Sequence, residues 1–201
     1  MLKHTKFAKS VSNLIGKIFG WLPLHPNAIT ILSIIMAVLG YVVWLPGLEH
    51  KLEGIILFVL AFFFDAIDGA VARAKKLESK EGAFLDGIAD RVVEFFLILT
   101  LFKVYAFNIE IQTLLFVILF FGTGMTSFVK AYAEHQRLLN HDEAIALPGL
   151  FERTERSIML LAIFLLANLD YYNMIRPLTY ITAALSIITF AERFWYVYTK
   201  K

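Results

Sequence analysis

The sequence predicts an all-α integral membrane protein: six transmembrane helices preceded by an N-terminal amphipathic helix on the membrane surface. Three observations lead there. Hydrophobic residues make up 59% of the 201 positions, and mean hydropathy is +0.68; an ordinary soluble domain is about 45–50% apolar. Apolar runs near the ~20 residues needed to cross a bilayer recur along the chain, separated by Pro, Gly and charged residues. The basic residues gather in alternate loops.

Taken in order, residues 1–20 form the interfacial helix. Phe7, Val11, Leu14, Ile15 and Ile18 fall at helical spacing, with Lys3, Lys6, Lys9 and Lys17 on the other side. This stretch has no long apolar run and no small-residue cleavage site, so it does not read as a secretory signal. The spans run over residues 27–46, 53–74, 82–104, 110–133, 152–169 and 175–198. Pro23 and Pro26 precede the first, and Pro46-Gly47 closes it; Pro148-Gly149 precedes the fifth, and Pro177 falls in the first turn of the sixth. Trp21, Trp44, Trp195, Tyr196 and Tyr198 read as interface anchors. Residues 1–201 make one domain, with 27–198 as its six-helix bundle.

Charge sets the orientation. Six spans put both termini and the second and fourth loops on one side. That side collects the N-terminal lysines, Arg73, Lys75, Lys76, Lys80, Arg137, Arg153, Arg156, Lys200 and Lys201; the other has Lys51, Lys103 and Arg176. The positive-inside rule then places both termini in the cytoplasm of a multi-pass cell-membrane protein. A net charge of +2 argues against a nucleic-acid partner, and the absence of cysteine excludes disulfides and thiolate metal sites.

Against this background, four acids stand out. Asp65 and Asp68 lie in one apolar helix, Asp86 and Asp90 in the next. Spacings of i,i+3 and i,i+4 put each pair on one helix face. Both pairs lie toward the cytoplasmic ends of helices joined by a short loop. A single Asp at a helix centre costs about 2.5–3.5 kcal/mol on insertion scales, and clustered carboxylates also repel one another. Arg73 and Arg91 offset part of that cost. One or two divalent cations offset it better, since Mg²⁺ and Mn²⁺ prefer oxygen ligands and Mg²⁺ keeps positions for water and phosphate. A salt-bridge network locking the two helices is the structural alternative. An ion path in a transporter is the other, although transporter acids usually lie near the midplane. Gly69, Gly82 and Ala72 add bare walls beside the acids: close helix packing would explain each alone, but together they describe a cleft.

The pattern Asp65-x2-Asp68-Gly69-x2-Ala72-Arg73-x8-Gly82-x3-Asp86-x3-Asp90 resembles the full signature of the CDP-alcohol phosphotransferase family. The resemblance implies a membrane enzyme that transfers a phosphoalcohol group from a CDP-linked donor and releases CMP. It implies two Mg²⁺ or Mn²⁺ ions on Asp65, Asp68 and Asp86, with Asp90 as general base and a further metal contact. Gly69 and Ala72 match nucleotide-facing positions, and Arg73 matches a diphosphate contact. Ser79 falls where some members hold the CDP-lipid by Ser or Thr. Asn27 and Thr30, in the segment after Pro26, resemble the donor-headgroup segment of the first helix, and Asp68 and Gly82 complete the donor set. A homodimer is the family's usual assembly.

The second half bears on the acceptor. Lys130, Arg153, Arg156 and Arg193 would form a basic pocket for a phosphate; snorkelling and pairing with Glu134, Glu152, Glu155 and Glu192 is the structural reading. This half resembles the branch that makes inositol-phosphate lipids on diacylglycerol or archaeol anchors, which implies inositol phosphate as the small polar acceptor. Family members often have Arg where this chain has Tyr132. Phosphatidylglycerophosphate and phosphatidylserine synthases are the alternative branches. Glu94 continues the Asp86–Asp90 stripe by one turn and is not expected to bind metal.

Overall fold

The computed structural model describes residues 14–21, 23–45, 50–169 and 171–200. Every regular element among them is helical, and the chain divides into two compact units, Leu2–Lys103 and Val104–Lys201.

In the first unit, residues 14–19 are helical; the earlier part of the expected interfacial helix lies outside the described residues. The apolar side expected for this helix is divided. Ile15 and Phe19 pack against buried Ile29, Ile67 and Val71, whereas Leu14, Ile18 and Trp21 are exposed. Helix α1 (Pro26–Val42) starts with Pro at its first position and His25 as N-cap, whose Nδ1 accepts the Asn27 N–H at 3.3 Å. It is 17 residues long, shorter than the expected 27–46, because the chain turns off through short-range bonds from Trp44 N–H to Tyr41 O and from Leu45 N–H to Val42 O. Residues 46–49, including the expected Pro46-Gly47 stop, are outside the described residues.

Helix α2 (Lys51–Lys75) ends in a left-handed residue, Lys76, at φ 56°. Two backbone bonds close its last turn, Leu77 N–H to Ala72 O and Lys76 N–H to Arg73 O. This is a Schellman termination with Lys where Gly is usual. Ser79 then starts α3 (Lys80–Val104), its Oγ accepting the Gly82 N–H at 3.0 Å. The reversal between α2 and α3 therefore occupies four residues, 76–79. Buried Gly40 of α1 meets the Phe58 ring of α2. Tyr41 of α1 meets Phe96 of α3 at 5.7 Å, with Lys103 Nζ over the Tyr41 ring at 4.4 Å.

The second unit is built on α4, helical over Ile109–His135. Its middle, Ile118–Met125, is wound as a π-helix, which the hydrophobic pattern does not announce. A short helix α5 (His141–Ile145) was also not expected; Asn140 and Glu143 close a capping box at its start. Lys200, together with the Asn140 N–H, holds the Glu143 carboxyl below the usual carboxylate range and ties α5 to the C-terminus. Helices α6 (Arg153–Asn168) and α7 (Tyr172–Thr199) complete the unit. Helix α7 starts earlier than expected, so Pro177 lies past its first turn and withholds the N–H that would bond Asn173 O. Arg176 Nε and Nη2 reach Glu110 Oε1 at 2.9 and 2.8 Å, and the Tyr180 hydroxyl donates to the same oxygen, fastening α7 to the start of α4.

Hydroxyls inside these apolar helices are largely satisfied within their own turns. Thr100, Thr113, Ser127, Thr179, Thr182 and Ser186 each donate to the carbonyl four residues back. Among the described residues, Lys51–Lys75, Ile109–His135 and Asn173–Thr199 are long and apolar enough to cross a membrane. Helix α1 is apolar but shorter, α6 has 16 residues, and α3 carries the acids and Arg91.

Candidate active site

The tight turn between α2 and α3 sets the register of the acids. Asp65 lies ten residues before the end of α2, and Asp90 ten residues after the start of α3. At 1.5 Å per residue, each stands about 15 Å from the turn, so the two face each other across antiparallel helices. One carboxylate oxygen from each of Asp65, Asp86 and Asp90 lies within 4.8 Å of the other two. Asp90 is buried, and the other two are half-buried. Arg91 Nη1 donates to Asp90 Oδ2 at 3.2 Å and to Gly87 O at 2.8 Å. Asp90 Oδ1 is shielded from solvent without a hydrogen bond of its own.

Asp68 lies outside this group. It is displaced by three residues, about 60° around α2, and this turns it toward α1. The Thr30 hydroxyl donates to Asp68 Oδ2 at 2.6 Å, and the Gly69 N–H donates to Oδ1. Both side chains are buried, at 4% exposure each. The four acids expected to act as one group are thus a converging triad plus one carboxylate oriented by Thr30.

Asp68 opens instead on a pocket. Asn27, Thr30, Asp68, Gly69, Ala72, Arg73, Ser79 and Gly82 all line it, and so does Asp86. Every residue the sequence suggests for the donor therefore borders one pocket within the first unit, and Asp86 belongs to both the pocket and the triad. The first turns of α1 and α3 contribute Pro26, Asn27, Gly82 and Ala83, so two helix N-termini, which favour anions, border the space. Arg73 adds a positive charge and leans over Gly69: a Cβ on Gly69 would sit 3.4 Å from its Nη1. Gly82 is where a side chain fits least, since a Cβ there would come within 3.0 Å of Ser79 Oγ and 3.2 Å of Asn27 Oδ1. Leu77 and Glu78 also line the pocket. The motif spacing passes over them because they belong to the turn, where neither periodicity nor chemistry singles them out.

The triad suits a hard divalent cation. Its donors are carboxylate oxygens alone, they converge, and two helix backbones fix them. The pocket beside Asp86 would take a ligand that presents anionic oxygens to Arg73 and to the helix termini.

The basic residues suggested for the acceptor lie in the second unit. Arg156 is buried, at 4% exposure, with its stem laid along the π-wound part of α4. A Cβ on Gly122 would meet Arg156 Cδ at 2.8 Å and Ser186 Oγ at 2.8 Å. Arg193 reaches α4 one turn further on, donating from Nη1 to Thr126 O and from Nε to Pro148 O, both at 3.1 Å. Lys130 follows after one more turn of α4, and Arg153 starts α6. Arg156 and Arg193 thus converge on one stretch of α4 and also hold structure there. Tyr132 is half exposed and stacks on Phe128 and His135.

Comparison with known proteins gives the chain's family and fold relatives. The sequence profile of the CDP-alcohol phosphatidyltransferase family matches residues 23–191. The archaetidylinositol phosphate synthase of Pyrococcus horikoshii is 35% identical over 182 residues, covering 89% of this chain and 86% of the relative. Two crystal structures of the Mycobacterium tuberculosis phosphatidylinositol phosphate synthase share the fold. One, with CDP-DAG bound, has a TM-score of 0.74 at 23% identity, covering 94% of each chain. The other, in complex with manganese and citrate, has a TM-score of 0.76 at 24% identity, covering 94% of this chain and 89% of that one. The profile takes in every residue of the pocket and of the acidic triad, and its span contains all three helices apolar enough to cross a membrane except the last turns of α7. This membrane protein belongs to the CDP-alcohol phosphatidyltransferase family and is a transferase of phospholipid biosynthesis.

Proposed function

We propose that the protein transfers a lipid-phosphate group from a CDP-lipid to a hydroxyl of inositol phosphate, releasing CMP. The observation that carries this reading is the shared wall: Asp86 belongs both to the converging acids and to the pocket lined by the donor motif. The names of the relatives, archaetidylinositol phosphate synthase and phosphatidylinositol phosphate synthase, support inositol phosphate as the acceptor.

In this reading the pocket takes the CDP headgroup. Arg73 pairs with the diphosphate, Asn27, Ser79 and Gly82 contact the headgroup, and bare Gly69 and Ala72 leave room for the nucleotide. Two divalent ions, Mg²⁺ or Mn²⁺, held by Asp65, Asp68, Asp86 and Asp90, would neutralise the diphosphate and stabilise departing CMP. Asp90 takes the proton from the acceptor hydroxyl. The acceptor oxygen bonds to the lipid-bearing phosphorus as the bond from that phosphorus to the bridging oxygen breaks. CMP leaves with the bond's electrons. Lys130, Arg153, Arg156 and Arg193 bind the acceptor phosphate.

The remaining membrane assignments belong to the same proposal. All six long helices cross the cell membrane, both termini and the active site face the cytoplasm, and the working form is a homodimer. The charge asymmetry of the loops supports the orientation.

The test is an acceptor panel at fixed CDP-lipid, with CMP release measured for inositol phosphate, glycerol phosphate, serine and inositol. Release with inositol phosphate well above the other three is expected. Equal or greater release with glycerol phosphate or serine would reassign the acceptor while leaving the donor chemistry in place.

A further inference from the structure

We infer that Lys75 and Gly16, neither of which lines the pocket, are positioning residues for the donor: they hold the entry of α1 against α2 and so fix one wall of the pocket. The inference rests on reading that pocket as the CDP-lipid site.

One wall is the start of α1, with Pro26, Asn27 and Thr30; another is the end of α2, with Asp68, Gly69, Ala72 and Arg73. Inside the pocket the Thr30–Asp68 hydrogen bond joins these walls. Outside it, Lys75 Nζ donates to the Leu24 carbonyl at 2.8 Å, two residues before α1 begins. A charge-assisted bond at that point fixes the chain just as it enters the helix.

A second fastening lies further back. Gly16 is buried against α2, where a Cβ would stand 2.9 Å from Ala70 O and 3.1 Å from Ala74 Cβ. The first contact is to backbone, so an added methyl must push the two segments apart. Phe19 meets Phe63 edge-on at 5.5 Å, and Ile15 and Phe19 join the cluster of Ile29, Ile67 and Val71. That cluster contains α1 through Ile29, one residue before Thr30. At 3.6 residues per turn, Phe63, Ala70 and Ala74 share the side of α2 roughly opposite the one carrying the pocket-lining Asp68 and Ala72. The N-terminal segment therefore braces α2 from behind while Lys75 and Ile29 link it to α1. A shift of this brace moves Asn27 and Thr30 relative to Asp68 and Arg73 without touching the acids that converge at Asp90.

The test uses the full chain in detergent with CDP-lipid, inositol phosphate and a divalent cation. Lys75→Met should raise KM for the CDP-lipid about fivefold, the effect of losing one hydrogen bond. KM for the acceptor and kcat should stay within about twofold of wild type. Lys75→Arg, which can still reach the carbonyl, should restore most of the loss. Lys76→Met removes the same charge from the neighbouring position and should leave the donor KM unchanged. Gly16→Ala should shift the donor KM in the same direction, and the Lys75→Met, Gly16→Ala pair should fall short of the product of the two effects because both act on one wall. Equal effects of Lys76→Met and Lys75→Met would show that only bulk charge matters and overturn the proposal. So would equal changes in donor and acceptor KM, or unchanged kinetics in both Lys75→Met and Gly16→Ala. Wild-type protein that does not turn over CDP-lipid would overturn the pocket reading itself, and this inference with it.

Discussion

Replacing Thr30 with Val removes one hydroxyl and preserves the shape of the side chain. That hydroxyl donates to Asp68 Oδ2 at 2.6 Å, between residues each 4% exposed. The Gly69 N–H on the other oxygen remains. A hydrogen bond to a charged group contributes about 1.5–3 kcal/mol. Leaving part of a buried carboxylate unsatisfied should therefore lower the unfolding free energy by about 2 kcal/mol. The same change frees Asp68 to leave its position on the pocket wall, so CDP should bind about tenfold more weakly in the presence of the metal. Denaturant titration followed by tryptophan fluorescence reads the first effect, and calorimetric CDP binding in detergent reads the second. Thr30→Ser, which keeps the hydroxyl, should match wild type in both. Thr30→Val within about 0.5 kcal/mol of wild type, with unchanged CDP affinity, would refute the orienting role given to this bond.

Three further outcomes are expected. Asp90→Asn should fold and bind CDP but lose turnover by at least about 100-fold, the scale of general-base catalysis; near-normal CMP release would remove Asp90 as the base. Gly122→Ala forces a methyl against Arg156 Cδ and Ser186 Oγ. Overpacking of this kind costs about 1–3 kcal/mol, so the variant should unfold at lower denaturant, and a wild-type midpoint would show that the π-wound turn can yield. Lys76→Gly relieves a left-handed residue at the end of α2 and should stabilise the protein by about 1 kcal/mol; an unchanged midpoint would mean that the conformation costs Lys nothing here.

Much of this arrangement can be read from residue order alone, because it depends on local physics. Apolar runs mark the helices. The acids could be paired because i,i+3 and i,i+4 spacings fix a helix face wherever the helix sits. Short helix α5 was equally legible in principle, since Asn140-x-x-Glu143 is a capping box, although the polar loop around it masked the signal. The features that escaped depend on distant neighbours. Asp68 parts from the other acids because Thr30, 38 positions away, holds it. Burial of Arg156 depends on Gly122 and Ser186, which belong to two other helices. The π-helical winding of Ile118–Met125 carries no sequence mark beyond Gly122 and Gly124, and such turns arise from packing as much as from composition. The divided apolar face of the N-terminal helix has the same origin: a helical pattern shows which residues avoid water, but not whether lipid or α2 covers them.

The central claim is that the converging acids and the pocket act together on a CDP-linked lipid. The most direct measurement is CMP release from CDP-lipid by purified protein with inositol phosphate present, before and after chelation and again after Mg²⁺ or Mn²⁺ is restored. Release that stops on chelation, returns with the metal and is lost in Asp86→Asn is the predicted result. Release that continues undiminished in the chelator, or in Asp86→Asn with metal, would contradict it.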